Sequence, residues 1–536
     1  MREQTMRTRL GQARLRATAA IAALALALAA CGADEAVEDS DDEVDEVDEV
    51  DEVDDDADED AAATDPDQPV RIAVPVEPPA LSPVNTVQSA GLVWGAFLDP
   101  VIGLADDFTP DDTGLVTDWE QTEPEVWSFT VREGVEFHNG EPLDAEAIAF
   151  TIDTYRASER APMAPYLQTI AEVEAVEEYT VEVRTDGPNL SIPAALTAMR
   201  AIPPEYYAEV EEEGFALEPV GTGPYEFVEW ESGTGVEGVA FEDHWRGEPA
   251  APAIEWSFVA DGNTRASLLQ TGEVDLVTNV PLDQRSALDD TDGLVTEGTV
   301  SNSKMNLFVM TEGEQLADPD LREAVELSMD RLGLTDGVLQ GQGGEPSATL
   351  LGELLDDPRE VEIPDADQEA AQSLVGDGAT VTFNYAPAQH PSGDSVGEAI
   401  AGMLEGAGFE VERNAQDYGA LTSEFIGGQL DGLVMFATLP VFPHPSVYAQ
   451  GFLTTTSITQ NCNSEEIDQR VAEALGADDF ATSDQLYWEA EEIGVQDLRC
   501  VIPLYNEVQS YGYVDSLQGF STPPATILDF HPLGHS

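Results

Sequence analysis

Positive charge is what this chain has least of. Across 536 residues, 21 lysines and arginines stand against 107 aspartates and glutamates, and the formal net charge is −86. Lys304 is the only lysine. Phosphate recognition relies on Lys and Arg, so nucleic acid is excluded as a partner. Histidine is nearly as scarce: there are six, and no His-Glu-x-x-His zinc helix occurs. No Gly-x-Ser-x-Gly elbow follows a strand, so no catalytic group, cofactor or resident metal is expected. No apolar run reaches the roughly 20 residues of a bilayer-spanning helix.

What is present begins with Arg2, Arg7, Arg9, Arg14 and Arg16, with Glu3 the one acid among them. An apolar run of Ala, Leu and one Ile follows from Ala19 to Ala30. Basic residues, a short apolar stretch and small residues, in that order, form a secretory signal. It closes on Leu28-Ala29-Ala30-Cys31-Gly32, which resembles a bacterial lipobox. That resemblance implies cleavage after residue 30 and acylation of Cys31, anchoring the protein to the outer face of the cytoplasmic membrane. Residues 34–67 then hold 21 acids and no base, much of it Asp-Glu-Val repeated from Asp42 to Val53. Such a segment buries too little apolar surface to offset chain entropy. Residues 31–67 are therefore expected to form a lipid anchor and an extended, disordered acidic stalk, with calcium binding the other reading of the tract.

The body from Gln68 to Ser536 is longer than one core usually supports, so two or three domains are expected. Its acids are spread evenly, a surface suited to high salt, where screening weakens repulsion. With Cys31 assigned to the anchor, Cys462 and Cys500 remain as a disulfide candidate in an oxidising compartment, or as two free buried thiols. Trp127, Phe129 and Val131 alternate as in a half-buried strand, as do Tyr179, Val181 and Val183, and Ile254, Trp256 and Phe258. Asp144 can cap a helix to about Tyr155, with Leu143 and Ile148 at the staple positions. A second helix is expected from near Asn263 to Gly272, with Val274 and Leu276 opening the next strand. Ile400, Met403 and Leu404 mark a third, stopped by Gly406 and Gly408 before a strand at Phe409–Val411. Strands alternating with helices argue for mixed α/β (α+β) lobes.

Several stretches then match one family in order. They are Val116–Glu120 with Phe129–Leu143, Pro219–Tyr225 with Glu229-Trp230, and His244-Trp245-Arg246-Gly247. Asp261–Arg265 with Gly272–Leu276, Leu321–Ala324 leading to Met329-Asp330-Arg331, and Ile502–Tyr505 with Gly519-Phe520 complete the series. The chain resembles the family 5 extracellular solute-binding proteins, the peptide and nickel receptors of ABC importers. The resemblance implies a two-lobed periplasmic-binding-protein-like fold with a hinge and a small inserted subdomain. On that plan residues 68–110, 215–300 and 491–536 build lobe I, 111–214 the insert and 301–490 lobe II. A ligand contacting both lobes would stabilise the closed form. Partners would be a small-molecule or peptide ligand, the transmembrane permease subunits and, through the anchor, the membrane; the protein is expected to be a monomer. Sensing without transport is the other role such lobes can serve.

Among the motif residues, Gly221, Gly223 and Pro224 read as a tight turn, with the glycines supplying unusual backbone angles. His138 is expected to pack beside the Asn139-Gly140 turn, Asp330-Arg331 to form a structural pair, and Trp119, Trp230 and Trp245 to be core. The resemblance places a cleft loop after Leu433–Phe436. Where peptide-binding members often carry an aspartate for the ligand's ammonium, this chain has Leu439-Pro440-Val441-Phe442-Pro443-His444. His444 takes the aspartate's position unless the loop is shifted in register. A neutral imidazole cannot supply that ion pair. Trp94, Phe436, Leu439, Phe442, His444 and Tyr448 are the candidate ligand residues, favouring an apolar or planar ligand or a stacked sugar. A nickel chelate held by His444 or His390 is a further alternative.

Overall fold

A computed structural model describes residues 68–82, 84, 91–158, 160–311, 313–355, 359, 361–376, 378–387, 392–522 and 527–536. The signal peptide, Cys31, the acidic stalk and His390 lie outside the described residues. All described residues fall in one compact unit, Ala63–Ser536.

One mixed sheet runs through this unit. In order across it stand Phe409–Ala415, Ala379–Tyr385, Leu433–Thr438, Leu294–Val309, Val501–Val514, Leu276–Thr278, Val70–Val74, Ala253–Phe258, Gly235–Ala240 and Tyr225–Glu231. Two members are long, Leu294–Val309 with 16 residues and Val501–Val514 with 14. They run antiparallel and carry the chain between two lobes. Leu294–Val300 pairs with Val508–Val514 in the first lobe, and Lys304–Phe308 with Val501–Asn506 in the second. Between them the register breaks, at Val300/Lys304 and again at Met305/Asn306. Residues 301–303 lie in that gap, where the two strands pass from one lobe to the other.

In the second lobe, Ala379–Tyr385 is parallel to both Phe409–Ala415 and Leu433–Thr438. Met305, Leu307 and Val309 enter one core with Phe383 and Leu404, while Phe308 enters another with Phe425 and Val434. A strand covered on both faces is apolar throughout instead of alternating, and Leu307–Met310 is such a run. Ile502 and Leu504 join the first of these cores and Val501 the second. The second lobe thus continues to about Asn506, and the boundary expected at 490 falls inside it.

The first lobe is built on the parallel strands Val70–Val74, Ala253–Phe258 and Leu276–Thr278. The helix after Phe258 is Gly262–Gln270, capped by Asp261, whose Oδ1 accepts from Thr264 N at 2.8 Å. Val274 precedes the next strand instead of opening it. The insert is a four-stranded sheet ordered Val116–Glu123, Val126–Val131, Thr180–Thr185 and Ile170–Glu177. Against it lies helix Ala145–Ala157, capped by Asp144 Oδ1 accepting from Ala147 N at 3.0 Å. Phe129, Val181, Ile148 and Ile152 share one core with Phe97 and Trp256 of the first lobe.

Several motif readings need correction. Gly221 and Gly223 do not adopt positive φ; they are small because a Cβ would lie 2.2 Å from Phe97 O and 2.4 Å from Phe97 C. His138 serves that loop more than its own turn. Its Nδ1 accepts from Gly221 N at 3.3 Å and its Nε2 contacts Gly223 O at 2.9 Å. Asp330 and Arg331 do not pair: Asp330 Oδ1 accepts from Gly333 N, while Arg331 binds Glu326 at 2.8 Å and the carbonyls of Ser347 and Pro503. Trp119, Trp230 and Trp245 are half-buried, packed at the edge of the first core.

Candidate functional site

A cavity of about 400 Å³ opens between the lobes. Trp94, on the short helix Gly91–Trp94, supplies the first-lobe wall, and Tyr155 and Met163 come from the insert. The second lobe contributes Phe436 from strand Leu433–Thr438, then Leu439, Pro440 and Val441. Helix Tyr418–Ile426 adds Tyr418, Thr422 and Ile426, which lie four residues apart on one face. Tyr418 stacks on Phe436 with ring centroids 5.8 Å apart at 21°. Among the described residues no charged side chain lines this cavity. Its chemistry is that of an apolar slot with aromatic walls, suited to hydrocarbon or planar groups.

Of the six candidate ligand residues, Trp94, Phe436 and Leu439 meet here. The other three stand elsewhere. Phe442 is fully buried among first-lobe and insert residues, edge-on to Tyr166 at 5.6 Å. It crosses from its own lobe to plug the facing one, so it is a contact between lobes. Tyr448 is also buried, and its hydroxyl shares its proton between the carbonyls of Asn302 at 2.9 Å and Thr438 at 3.0 Å, tying the gap in the long strand to the end of strand Leu433–Thr438. His444 caps the short helix Pro445–Tyr448, with Nδ1 accepting from Ser446 N at 3.1 Å. Its ring packs edge-on to Tyr487, and burial pushes its pKa down to about 3. A neutral imidazole spent on a cap is in no position to meet a ligand's ammonium. His444 instead borders a separate cavity of about 440 Å³ with Trp119, Trp127 and Glu353.

Beside the slot lies a larger cavity of about 710 Å³, which shares Ala198 and Ile527 with it. It holds three arginines, Arg132, Arg200 and Arg246, and the carboxylates of Asp99, Asp106, Asp111 and Asp529. Asp99 is engaged by Trp245 Nε1 at 2.7 Å and His244 Nε2 at 3.3 Å. Arg246 is held bidentately by Asp529 at 2.7 and 3.0 Å. Arg132 lies over Trp245, 4.4 Å from the ring centroid, and donates to the carbonyls of Asp112 and Gly114.

Sequence reasoning missed Tyr418, Ile426, Tyr155 and the arginines. A signal existed for the first two. In Tyr418–Ile426, Leu421 and Phe425 face the core while Tyr418 and Ile426 are exposed, so this helix is apolar on two faces. Cys462 and Cys500 stand bonded, Cα to Cα 5.4 Å, within the second-lobe core, a separation a disulfide accepts without strain on the backbone. Among the described residues, no group of three or more His, Cys, Asp or Glu side chains is placed to hold a metal ion.

Comparison with known proteins agrees with this architecture. The profile of the bacterial extracellular solute-binding proteins, family 5 Middle, matches residues 112–460. The chain belongs to that family, whose members are the substrate-binding subunits of ABC importers. It is 26% identical over 452 residues to the glutathione-binding protein GsiB of Escherichia coli O1:K1, covering 80% of this chain and 84% of that protein. The fold matches the ABC transporter substrate-binding protein CtaP from Listeria monocytogenes with a TM-score of 0.78 at 18% identity, over 87% of this chain and 99% of that one. It also matches the periplasmic binding protein DppA from Helicobacter pylori, solved with the peptide STSA. There the TM-score is 0.74 at 18% identity, over 87% of this chain and 98% of that one.

Proposed function

We propose that this protein traps an oligopeptide or related small molecule in the slot walled by Trp94, Tyr155 and Phe436, and delivers it to an ABC permease. The observation that carries the reading is the origin of that slot: first lobe, insert and second lobe each supply a wall. A ligand touching all three binds the closed form better than the open one, and only such a difference can drive closure. Among the described residues the main sheet carries the chain between lobes at Leu294–Val309 and Val501–Val514, so rotation can be absorbed at residues 301–303, where their register breaks, without breaking either lobe. No step breaks a covalent bond. GsiB's name and the peptide held by DppA make peptides the first class to test. The aromatic and aliphatic lining of the slot argues for ligands held there by an apolar part. A lipid on Cys31 and a stalk over residues 31–67 would keep the body near its permease. Among the described residues no helix is long and apolar enough to cross a membrane.

The test is thermal-shift screening in about 1 M salt, where the Debye length is about 3 Å, against peptides, oligosaccharides and metal chelates. A ligand at one hundred times its Kd should add about 2.7 kcal/mol of stability. If every class leaves the melting temperature unmoved, the receptor reading falls.

A further inference from the structure

Phe108 joins none of the hydrophobic cores, and Phe480 is 42% exposed. Both border the cavity of about 440 Å³ next to His444. Phe480 opens the second-lobe helix Phe480–Glu491, capped by Asp479 Oδ1 accepting from Thr482 N at 2.8 Å. Phe108 stands on the turn that leads into the insert, with φ at 67°, a left-handed conformation that a bulky side chain resists. Trp119 and Trp127 of the insert sheet add two more rings. Trp127 is fixed in place, its Nε1 donating to Asn189 O at 2.9 Å and its ring stacked on Phe129. Trp119 is half-buried against the first core, so part of its indole is left for the cavity.

The charge around these rings has one sign. Asp107, Glu120 and Glu353 line the cavity, and among the described residues no lysine or arginine does. Glu353 is balanced by Lys304 at 2.7 Å. Asp107 accepts from the amide and hydroxyl of Thr109, and among the described residues neither it nor Glu120 has an ion-pair partner. Carboxylates alone say little in a chain with 107 acids; their meeting with four aromatic rings says more. The face of an aromatic ring is electron-rich and attracts a cation laid against it. Rings and carboxylates together would repel an anion, and a neutral apolar group would leave the carboxylates unanswered.

We propose that this cavity is a second binding site, for an organic cation of the quaternary or alkylated ammonium class, seated on the faces of Trp119 and Phe480 with Asp107 and Glu120 as its counter-charges. The site goes beyond the receptor reading, because the cavity and the aromatic slot share no lining residue. An alkylated ammonium is the cation that suits it: its methyl groups pack on the rings, whereas a compact, strongly hydrated cation keeps its water and leaves them unused. The insert sheet supplies one wall and the second lobe the other, so an ion touching both favours the arrangement in which they face each other.

The probes are choline and dimethylbutanol, the analogue in which carbon replaces the charged nitrogen, titrated calorimetrically into the full chain in detergent. Sodium chloride at about 1 M screens the diffuse attraction of any cation to so acidic a surface and leaves the contact. Choline should bind at least about tenfold tighter than the alcohol. Trp119→Leu and Phe480→Leu keep an apolar side chain but remove a ring face; each should weaken choline at least about threefold and leave the alcohol within about twofold. The melting temperature of each variant reports whether it has folded, and the wild-type ratio needs no variant at all. Equal binding of the two probes to the wild type would overturn the proposal, as would a preference for choline that persists undiminished in both variants. If choline does not bind while a ligand of the wider screen raises the melting temperature, the cation site falls and the receptor reading stands. Choline binding lost in the two variants, with no other ligand found, would leave the cation site standing and the receptor reading fallen.

Discussion

Single residues in this protein do most of their work by being buried in one protonation state. His138 hangs the loop Gly221–Gly223 on the insert with both ring nitrogens, one accepting from an amide and the other facing a carbonyl. That pattern requires a neutral ring, and burial pushes its pKa down to about 4. Unfolded, the same ring titrates near about 6.5. Between those values the unfolded chain holds the extra proton, so the stabilisation is complete above about pH 6.5 and is lost as pH falls towards 4. In His138→Asn, stability measured by denaturant between pH 7 and 5 should depend less steeply on pH, by at most about 1.4 kcal/mol per unit. An unchanged slope would show that the ring does not stay neutral. Lys304 is the opposite case, charged and matched. Its ammonium meets Glu353 at 2.7 Å, Ser347 Oγ and Thr349 O, and Glu353 also accepts from Asn506 Nδ2 at 2.9 Å. The one lysine of the chain is therefore spent where the two linking strands enter the second lobe, between the residue pair Lys304 and Asn506.

At the scale of elements, periodicity and caps were readable and partners were not. Strand Val126–Val131 and helix Ala145–Ala157 stand where alternation and Asp144 put them, because each displays one apolar face to one core. The long strand Leu294–Val309 had no such signature. Its first half is half-exposed and its second wholly buried, as it passes from a lobe's edge into a sheet covered on both faces. The covalent link in the second lobe belongs to the same scale. Cys462 and Cys500 stand 38 positions apart in the sequence and tie the segment before helix Glu465–Leu475 to the start of Val501–Val514. Replacing both by serine should lower stability by about 3–4 kcal/mol through the freed loop, read as a fall in the denaturant midpoint. A midpoint identical to that of the wild type would mean that the thiols are not joined in the native protein.

At the scale of the whole molecule, charge and closure govern behaviour. Aspartates and glutamates outnumber cations so far that few can be paired, and unpaired like charges repel across the folded surface. Raising salt from about 0.1 M to about 1 M shortens the Debye length from about 10 to about 3 Å. The melting temperature of the unliganded chain should rise over that range. A fall or no change would show that surface repulsion is not what limits its stability. Packing between the lobes adds a second global term, since Phe442 leaves its own lobe to be buried in the other. A residue expected from the sequence to touch the ligand is thus packed between the lobes instead.

The family, the mixed α/β architecture and many strand and helix positions were determined by the sequence alone, because they depend on local period, caps and motif order along the chain. The cleft was only half legible. Trp94, Phe436 and Leu439 were found because each sits beside a recognisable motif or strand end, yet their neighbours Tyr155 and Tyr418 come from two helices, Ala145–Ala157 and Tyr418–Ile426, that nothing along the chain links to one another. Tertiary structure alone decided that His444 would cap a helix, that Tyr448 would bind the carbonyl of Asn302, and that Phe442 would be buried in the facing lobe. A residue's period along the chain records which face it lies on, but not which distant surface that face will meet. Burial, pairing and charge state are set by that meeting.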